Sequence, residues 1–278
     1  MYIPGNTKGG TMYSVKLSVI AFGLIFLVFG CGNDESSSPT DSGNDTGSLK
    51  ILLTDAPAEF DHVNITFTEV SVHFGEADTT AAGSTGEWIV VNDQTQTFDL
   101  LTLSNGATSL LGQKDLEIGH YTQIRLVISD AEVVVDGESY HLKVPSGEFK
   151  FVNGFDIVAN TPTELVVDFD AARSVHEKGK KGDYTLKPTL RIINKTQSGS
   201  ISGTVTNYQD LPVAFAIAGA DTLSSSYIKE DSGQFRLSFL PAGTYTVAVT
   251  DTLGKNFTKA DVLVSDGKTT SIGDITLQ

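Results

Sequence analysis

The chain has 278 residues with 19 basic and 34 acidic side chains, a formal charge of −15. Hydrophobic residues make up 40%, enough to build real cores and to exclude wholesale disorder. The acidity excludes nucleic acid as a partner, because phosphates call for clustered Lys and Arg, and the single cysteine excludes an intrachain disulfide or a cysteine-based zinc cluster.

Residues 1–16 carry Lys8 and Lys16 and no acid, and Leu17 to Gly30 are almost wholly apolar. As a helix that run would rise about 21 Å, short of the ~30 Å hydrocarbon core of a bilayer, so it reads as a secretory signal peptide rather than a span. It ends Leu27-Val28-Phe29-Gly30-Cys31, which resembles the bacterial lipobox. The resemblance implies cleavage after Gly30 and a lipid on Cys31, the one cysteine of the chain. From Gly32 to Gly47 no residue is apolar, so residues 31–47 read as a solvated tether. Gly32 is not the aspartate of an inner-membrane retention signal, which places the anchor in an outer membrane. Asp34 and Glu35 resemble the acidic tethers of surface-exported lipoproteins.

From Leu49 onward period two dominates, the mark of strands. Leu49 to Thr54 opens a strand that Asp55-Ala56-Pro57 stops, and Val63 to Phe67 and Val70 to Phe74 alternate cleanly. The small, polar stretch from Gly75 to Gly86 reads as a loop. Trp88-Ile89-Val90-Val91 is the next strand. Phe98 to Leu111 holds at most a short helix, interrupted at Asn105-Gly106. Tyr121 to Ile128 is a strong strand, and Val133 to Leu142 a hairpin turned at Asp136-Gly137. Strands at 149–152, 164–170 and 184–193 follow, the last preceded by a basic loop from Lys178 to Gly182. About ten strands with no long helix between them predict a sandwich or barrel.

Several pieces of residues 49–194 occur together and in order. They are Leu53-Thr54-Asp55-Ala56-Pro57, Asp99-Leu100-Leu101, Gly119 to Leu126, Leu142 to Gly147, Asp168 to Val175 and Leu186-Lys187-Pro188. The set resembles a domain family of unknown function common in secreted and lipid-anchored bacterial proteins. That resemblance implies an architecture and a habitat, not a mechanism. After the polar stretch Asn194 to Gly199, a second pattern begins. Phe235, Leu237 and Phe239 share one face of a strand, as do Tyr245, Val247 and Val249 of the next, and Leu240-Pro241-Ala242-Gly243 reverses the chain between them. This segment resembles the carboxypeptidase regulatory-like, transthyretin-like sandwich of about seven strands, grouped with starch-binding-like folds. Such modules are usually non-catalytic accessories. The predicted organisation is all-β: a signal peptide at 1–30, a tether at 31–47, and two antiparallel β-sandwich-type domains in tandem at 48–194 and 199–278.

Chemistry is sparse. The five histidines, His62, His73, His120, His141 and His176, form no His-Glu-x-x-His pair, although His62 and His73 could converge across strands. There is no Gly-x-Ser-x-Gly elbow, phosphate loop or dinucleotide fingerprint, and no cofactor is expected. Asp168 and Asp170, at alternate positions of a predicted strand, would put two carboxylates on one face. They could bind calcium, cap local loops, or pair with Arg173 or Arg191. Trp88, the only tryptophan, could stack on a sugar ring, but its apolar run points to core packing.

The expected protein is therefore a lipid-anchored, non-catalytic binding module of the outer membrane and cell surface. It would hold the membrane through the lipid on Cys31, and fold analogy makes carbohydrate its first-choice ligand. Two alternatives stand beside this reading: a structural spacer or assembly partner of a surface complex, and a hydrolase with an unrecognised site.

Overall fold

A computed structural model describes residues 46–75, 86–179 and 182–278. The signal peptide, Cys31, nearly all of the tether and most of the loop between Gly75 and Gly86 lie outside the described residues.

Among the described residues of 46–194 there are twelve strands: β1 (Thr46–Asp55), β2 (His62–Phe74), β3 (Glu87–Asn92), β4 (Gln96–Asp99), β5 (Ser109–Glu117), β6 (Gly119–Val135), β7 (Glu138–Lys143), β8 (Glu148–Ile157), β9 (Thr163–Phe169), β10 (Val175–Glu177), β11 (Tyr184–Leu186) and β12 (Leu190–Asn194). One sheet runs β12-β9-β1-β5; the other runs β10-β11-β7-β6-β2-β3, with β4 also on β2 and β8 also on β6. Alternation decides which side chains meet between them. Leu49, Ile51 and Leu53 of β1, Leu165, Val167 and Phe169 of β9, and Val63, Ile65 and Phe67 of β2 are all buried in one cluster. The hairpin between β6 and β7 turns at Asp136 and Gly137, with φ of 54° and 76°, the left-handed pair that a two-residue hairpin loop requires. The short helix expected after Phe98 is one 3-10 turn, Leu100–Leu103, N-capped by Asp99.

Seven further strands follow: β13 (Ser198–Val205), β14 (Val213–Ala218), β15 (Asp221–Tyr227), β16 (Gln234–Pro241), β17 (Gly243–Thr250), β18 (Asn256–Val264) and β19 (Thr269–Ile275). They form two sheets, β16-β13-β19 and β15-β14-β17-β18, around a second core that includes Ile201, Phe235, Leu237, Tyr245, Val247 and Val249. The all-β architecture of two sandwich-type sets of strands thus holds, with one refinement. Three pairs are parallel, β1 with β9, β7 with β11 and β13 with β19. Each joins strands far apart in the chain, where no hairpin dictates direction.

The two sets of strands pack against each other. Asn194 to Gly199 is not an open linker: residues Lys195–Gln197 form a 3-10 turn in which the Asn194 side chain accepts from the Thr196 N–H at 3.1 Å. The chain then enters β13 directly. Leu52, Val166 and Ile193 lie on the face of the first sheet that points away from its core, and Phe239 of β16 packs on them. That explains why Ile51-Leu52-Leu53 runs apolar without a break: β1 is covered on both sides. Phe239 reaches the patch because β16 carries an extra residue there. Gly199 and Ile201 face Leu240 and Leu237, and Phe239 takes a φ of 56°. Polar contacts flank it. The Tyr227 hydroxyl donates to the Ala58 carbonyl at 2.9 Å, and the Ser226 hydroxyl donates to Asn105 Oδ1 at 2.7 Å. Among the described residues no helix is long and apolar enough to cross a membrane.

Candidate functional site

A cleft of about 650 Å³ opens between the two sets of strands, a size and a position between packed units that suit a small-ligand site. On one side it is walled by the ends of β1 and β9, the start of β12, and the turn at Asn105-Gly106; on the other by β15 and the bulged part of β16.

The carboxylates come from chain ends that the fold must cap. Asp55 ends β1, and its Oδ1 accepts from the Ala171 N–H at 2.9 Å. Ala171 opens α1 (Ala171–Ser174), a single helical turn whose N-cap is Asp170. Asp170 accepts from the Arg173 backbone N–H at 2.8 Å through Oδ1 and from Arg173 Nε at 2.6 Å through Oδ2. Asp168, one residue inside the end of β9, accepts from Arg191 Nε of β12 at 2.6 Å. The predicted shared strand face is therefore corrected. β9 ends at Phe169, and Asp170 leaves the strand to cap α1, a role that the run Asp170-Ala171-Ala172-Arg173 signals as an N-cap before good helix formers. The two aspartates still meet in one cleft, joined there by Asp55.

Burial sets the electrostatics. Asp55 is 5% exposed, and desolvation raises its pKa well above the ordinary carboxylate value, outweighing the Ala171 N–H and reinforced by Asp168 and Asp170. Burial also raises Asp168, against the pull of Arg191. Three arginines line the cleft, Arg173, Arg191 and Arg236, against Asp55, Asp168, Asp170 and Asp221.

Three polar atoms in this wall have no partner: Asp55 Oδ2, Arg191 Nη2 and Ser238 Oγ. Only five such buried side-chain atoms occur among the described residues, and these three lie beneath the surface of the cleft wall. Ser238 is 8% exposed. Its approach depends on Gly106, with φ of 81°, where a Cβ would stand 2.4 Å from Ser238 Oγ. Thr54 Oγ1 lies 2.9 and 2.8 Å from the carbonyls of Leu103 and Ala107, which ties this turn to β1. Phe215, Leu223 and Phe239 add apolar surface to the cleft.

The other sequence candidates lie elsewhere. Trp88 sits in β3 and does not line the cleft. Nor is it a core residue: it is half-buried, with the Arg125 guanidinium 4.4 Å from the ring centroid and His73 edge-on at 5.1 Å. Its run misled because β3 is an outermost strand of its sheet, where apolar side chains pack under long cations instead of under a second layer. His62 and His73 occupy opposite ends of the same strand, β2, and cannot converge. His62, His120 and His141 each face an aspartate: Asp99 at 2.7 Å, Asp156 at 2.7 Å and Asp130 at 3.2 Å. Among the described residues no group of three or more His, Cys, Asp or Glu is placed to hold a metal ion. Sequence reasoning missed Asp55, Ser238 and Arg236 as site residues. Asp55 was visible only as a strand stop, because nothing local shows that a second sandwich covers it.

Asp55 gives a sharp expectation. Its pKa is higher in the folded than in the unfolded chain, so its contribution to stability is full below about pH 4 and is lost as pH rises through the folded value. Asp55→Asn keeps an acceptor for Ala171 and removes the buried charge. The variant is expected to melt about 2–8 °C above the parent at pH 8, corresponding to about 1–2 kcal/mol, and to match it near pH 4. Parallel melting curves across that range would refute the assignment.

Residues 46–188 match the model described as Domain of unknown function (DUF4382). The chain belongs to that family. Residues 200–278 match the Carboxypeptidase regulatory-like domain. No curated protein matches the chain. Among solved structures it is similar to the Bacillus anthracis TIE protein, at 12% identity over 84% of this chain and 51% of that one, with a TM-score of 0.24. It is also similar to shaft pilin SpaA from Lactobacillus rhamnosus GG, at 10% identity over 84% and 98% of the two chains, with a TM-score of 0.20. The fimbrial anchor protein Mfa2 from Porphyromonas gingivalis is similar at 12% identity over 79% and 82%, with a TM-score of 0.17. The chain spans about half the length of the TIE protein.

Proposed function

We propose that this protein is a non-catalytic binding module of the cell surface, held to an outer membrane by a lipid on Cys31, and that its cleft binds carbohydrate. One observation carries the ligand class. The polar groups that line the cleft are mixed: arginine N–H groups that donate, aspartate oxygens that accept, and the hydroxyls of Thr222, Ser224 and Ser225 that do both. Sugar hydroxyls both donate and accept, so one ligand class satisfies them all. The apolar surface of Phe215 and Phe239 suits the ring faces of a sugar. Asp168 and Asp170 are each engaged by an arginine, which supports positioning of hydroxyls over proton transfer.

The test uses Ser42–Gln278, which forms one compact unit, on a glycan array. Binding to at least one glycan is expected. Thr222→Ala, which removes an exposed hydroxyl of the cleft, is expected to weaken it about 3- to 10-fold, the worth of one hydrogen bond. No binding to any glycan would favour a spacer or assembly role. Release of sugar from a bound glycan would favour a hydrolase, with Asp55 as the proton-holding acid.

A further inference from the structure

A second groove, of about 390 Å³, adjoins the first and shares Asn105 and Arg236 with it. It lies over the sheet β16-β13-β19. Register and burial show how its floor is made. Arg236, Ser202 and Ser271 stand side by side across the three strands, and one step along the same face so do Gln234, Thr204 and Asp274. Phe235 of β16 and Ile201 of β13, on the opposite face, point into the core. The face turned away from the core is therefore a shallow bed of small hydroxyl side chains edged by longer polar ones, with Lys229 at its rim. Gly203, between Ser202 and Thr204, faces the core side instead, where a Cβ would meet the Phe235 ring at 2.8 Å.

A bed of hydroxyls is not by itself a site. What gives it meaning is its continuity, through Asn105 and Arg236, with the cleft between the two sets of strands. Arg236 is placed to serve both. It is exposed, and its Nη2 donates to Thr269 Oγ1 at 3.0 Å, which holds the side chain along the sheet. The charges around the path come close to cancelling. Three arginines and Lys229 stand against Asp168, Asp170, Asp221 and Asp274, and the fifth carboxyl, Asp55, is the buried one. With neither sign in excess, the path offers a charged ligand no net attraction.

We propose that the two grooves form one extended binding path, and that the ligand is an uncharged oligosaccharide chain with one sugar in the cleft and its neighbours along the bed of β13, β16 and β19. This rests on the carbohydrate reading above and deepens it. The test measures binding of Ser42–Gln278 by calorimetry to neutral di-, tetra- and hexasaccharides of whichever glycan binds on the array, together with that glycan's uronate analogue. Affinity is expected to rise about tenfold or more from di- to hexasaccharide, as one or two added hydrogen bonds would give. The double variant Lys229→Ala, Gln234→Ala is expected to erase that gain. The uronate chain is expected to bind no better than the neutral one. Equal affinity for the di- and hexasaccharide, a gain that survives the double variant, or preference for the uronate would each overturn the extended path while leaving the cleft as a sugar site. Failure of every glycan to bind would remove the carbohydrate reading and this proposal with it.

Discussion

In the full-length chain produced in a bacterial host, Cys31→Ser is expected to abolish lipid attachment and to leave the leader uncleaved. The chain has only one cysteine, so no other thiol can take the acyl group. On the proposed anchoring, membrane attachment would rest wholly on the lipid, because a helix over Leu17 to Gly30 would be too short to cross a bilayer. Each buried methylene of such a lipid would contribute about 0.8 kcal/mol. Labelled palmitate should enter the parent and not the variant. Intact mass should show the leader retained in the variant. A Cys31→Ser protein that still took up label and still fractionated with the outer membrane would sink the lipobox assignment. Asp34 and Glu35 offer a companion measurement. If the acidic tether directs export to the outer face, replacing both with lysine should reduce the fraction of protein that added protease can reach on whole cells.

Local alternation was enough to read the strands, because each side chain's face depends only on its neighbours in sequence. Val63 to Phe67 and Tyr121 to Ile128 are strands where period two places them, and Asp136-Gly137 turns the hairpin because its two residues tolerate positive φ. What local pattern could not supply was anything decided by contact across the chain. The parallel pairing of β1 with β9 joins residues more than a hundred positions apart. Half of the site had the same fate. Asp168 and Asp170 stood out because two carboxylates alternate in one short run. Asp55 and Ser238 become site residues only when one sandwich lies over the other, and neither is unusual in its own segment. Trp88 shows the opposite failure, where a strong local signal misled because a strand's place in its sheet is not written in its own residues.

Phe239 is where the packing of the two sandwiches can be probed most directly. Its ring covers Leu52, Val166 and Ile193, and it does so from a backbone φ of 56°, a region that costs a residue with a Cβ roughly 1–2 kcal/mol. The contact must outweigh that strain. Phe239→Ala loses the ring and keeps the strain. Full truncation of a buried phenylalanine costs about 3–5 kcal/mol; for this half-buried ring about 2–3 kcal/mol is expected, read by urea denaturation of Ser42–Gln278. Phe239→Gly loses the ring and also relieves the strain. In an ordinary strand glycine is less stable than alanine by roughly 0.5–1 kcal/mol. At this position the order is expected to reverse, with glycine more stable than alanine by about 1 kcal/mol. Both variants should bare the apolar patch on β1 and β9 and loosen the cleft wall that carries Ser238, so glycan affinity should fall in both while their stabilities differ. If glycine proves the less stable of the two, Phe239 is not held in a strained conformation by this contact. If neither variant loses stability, the ring does not hold the two sandwiches together.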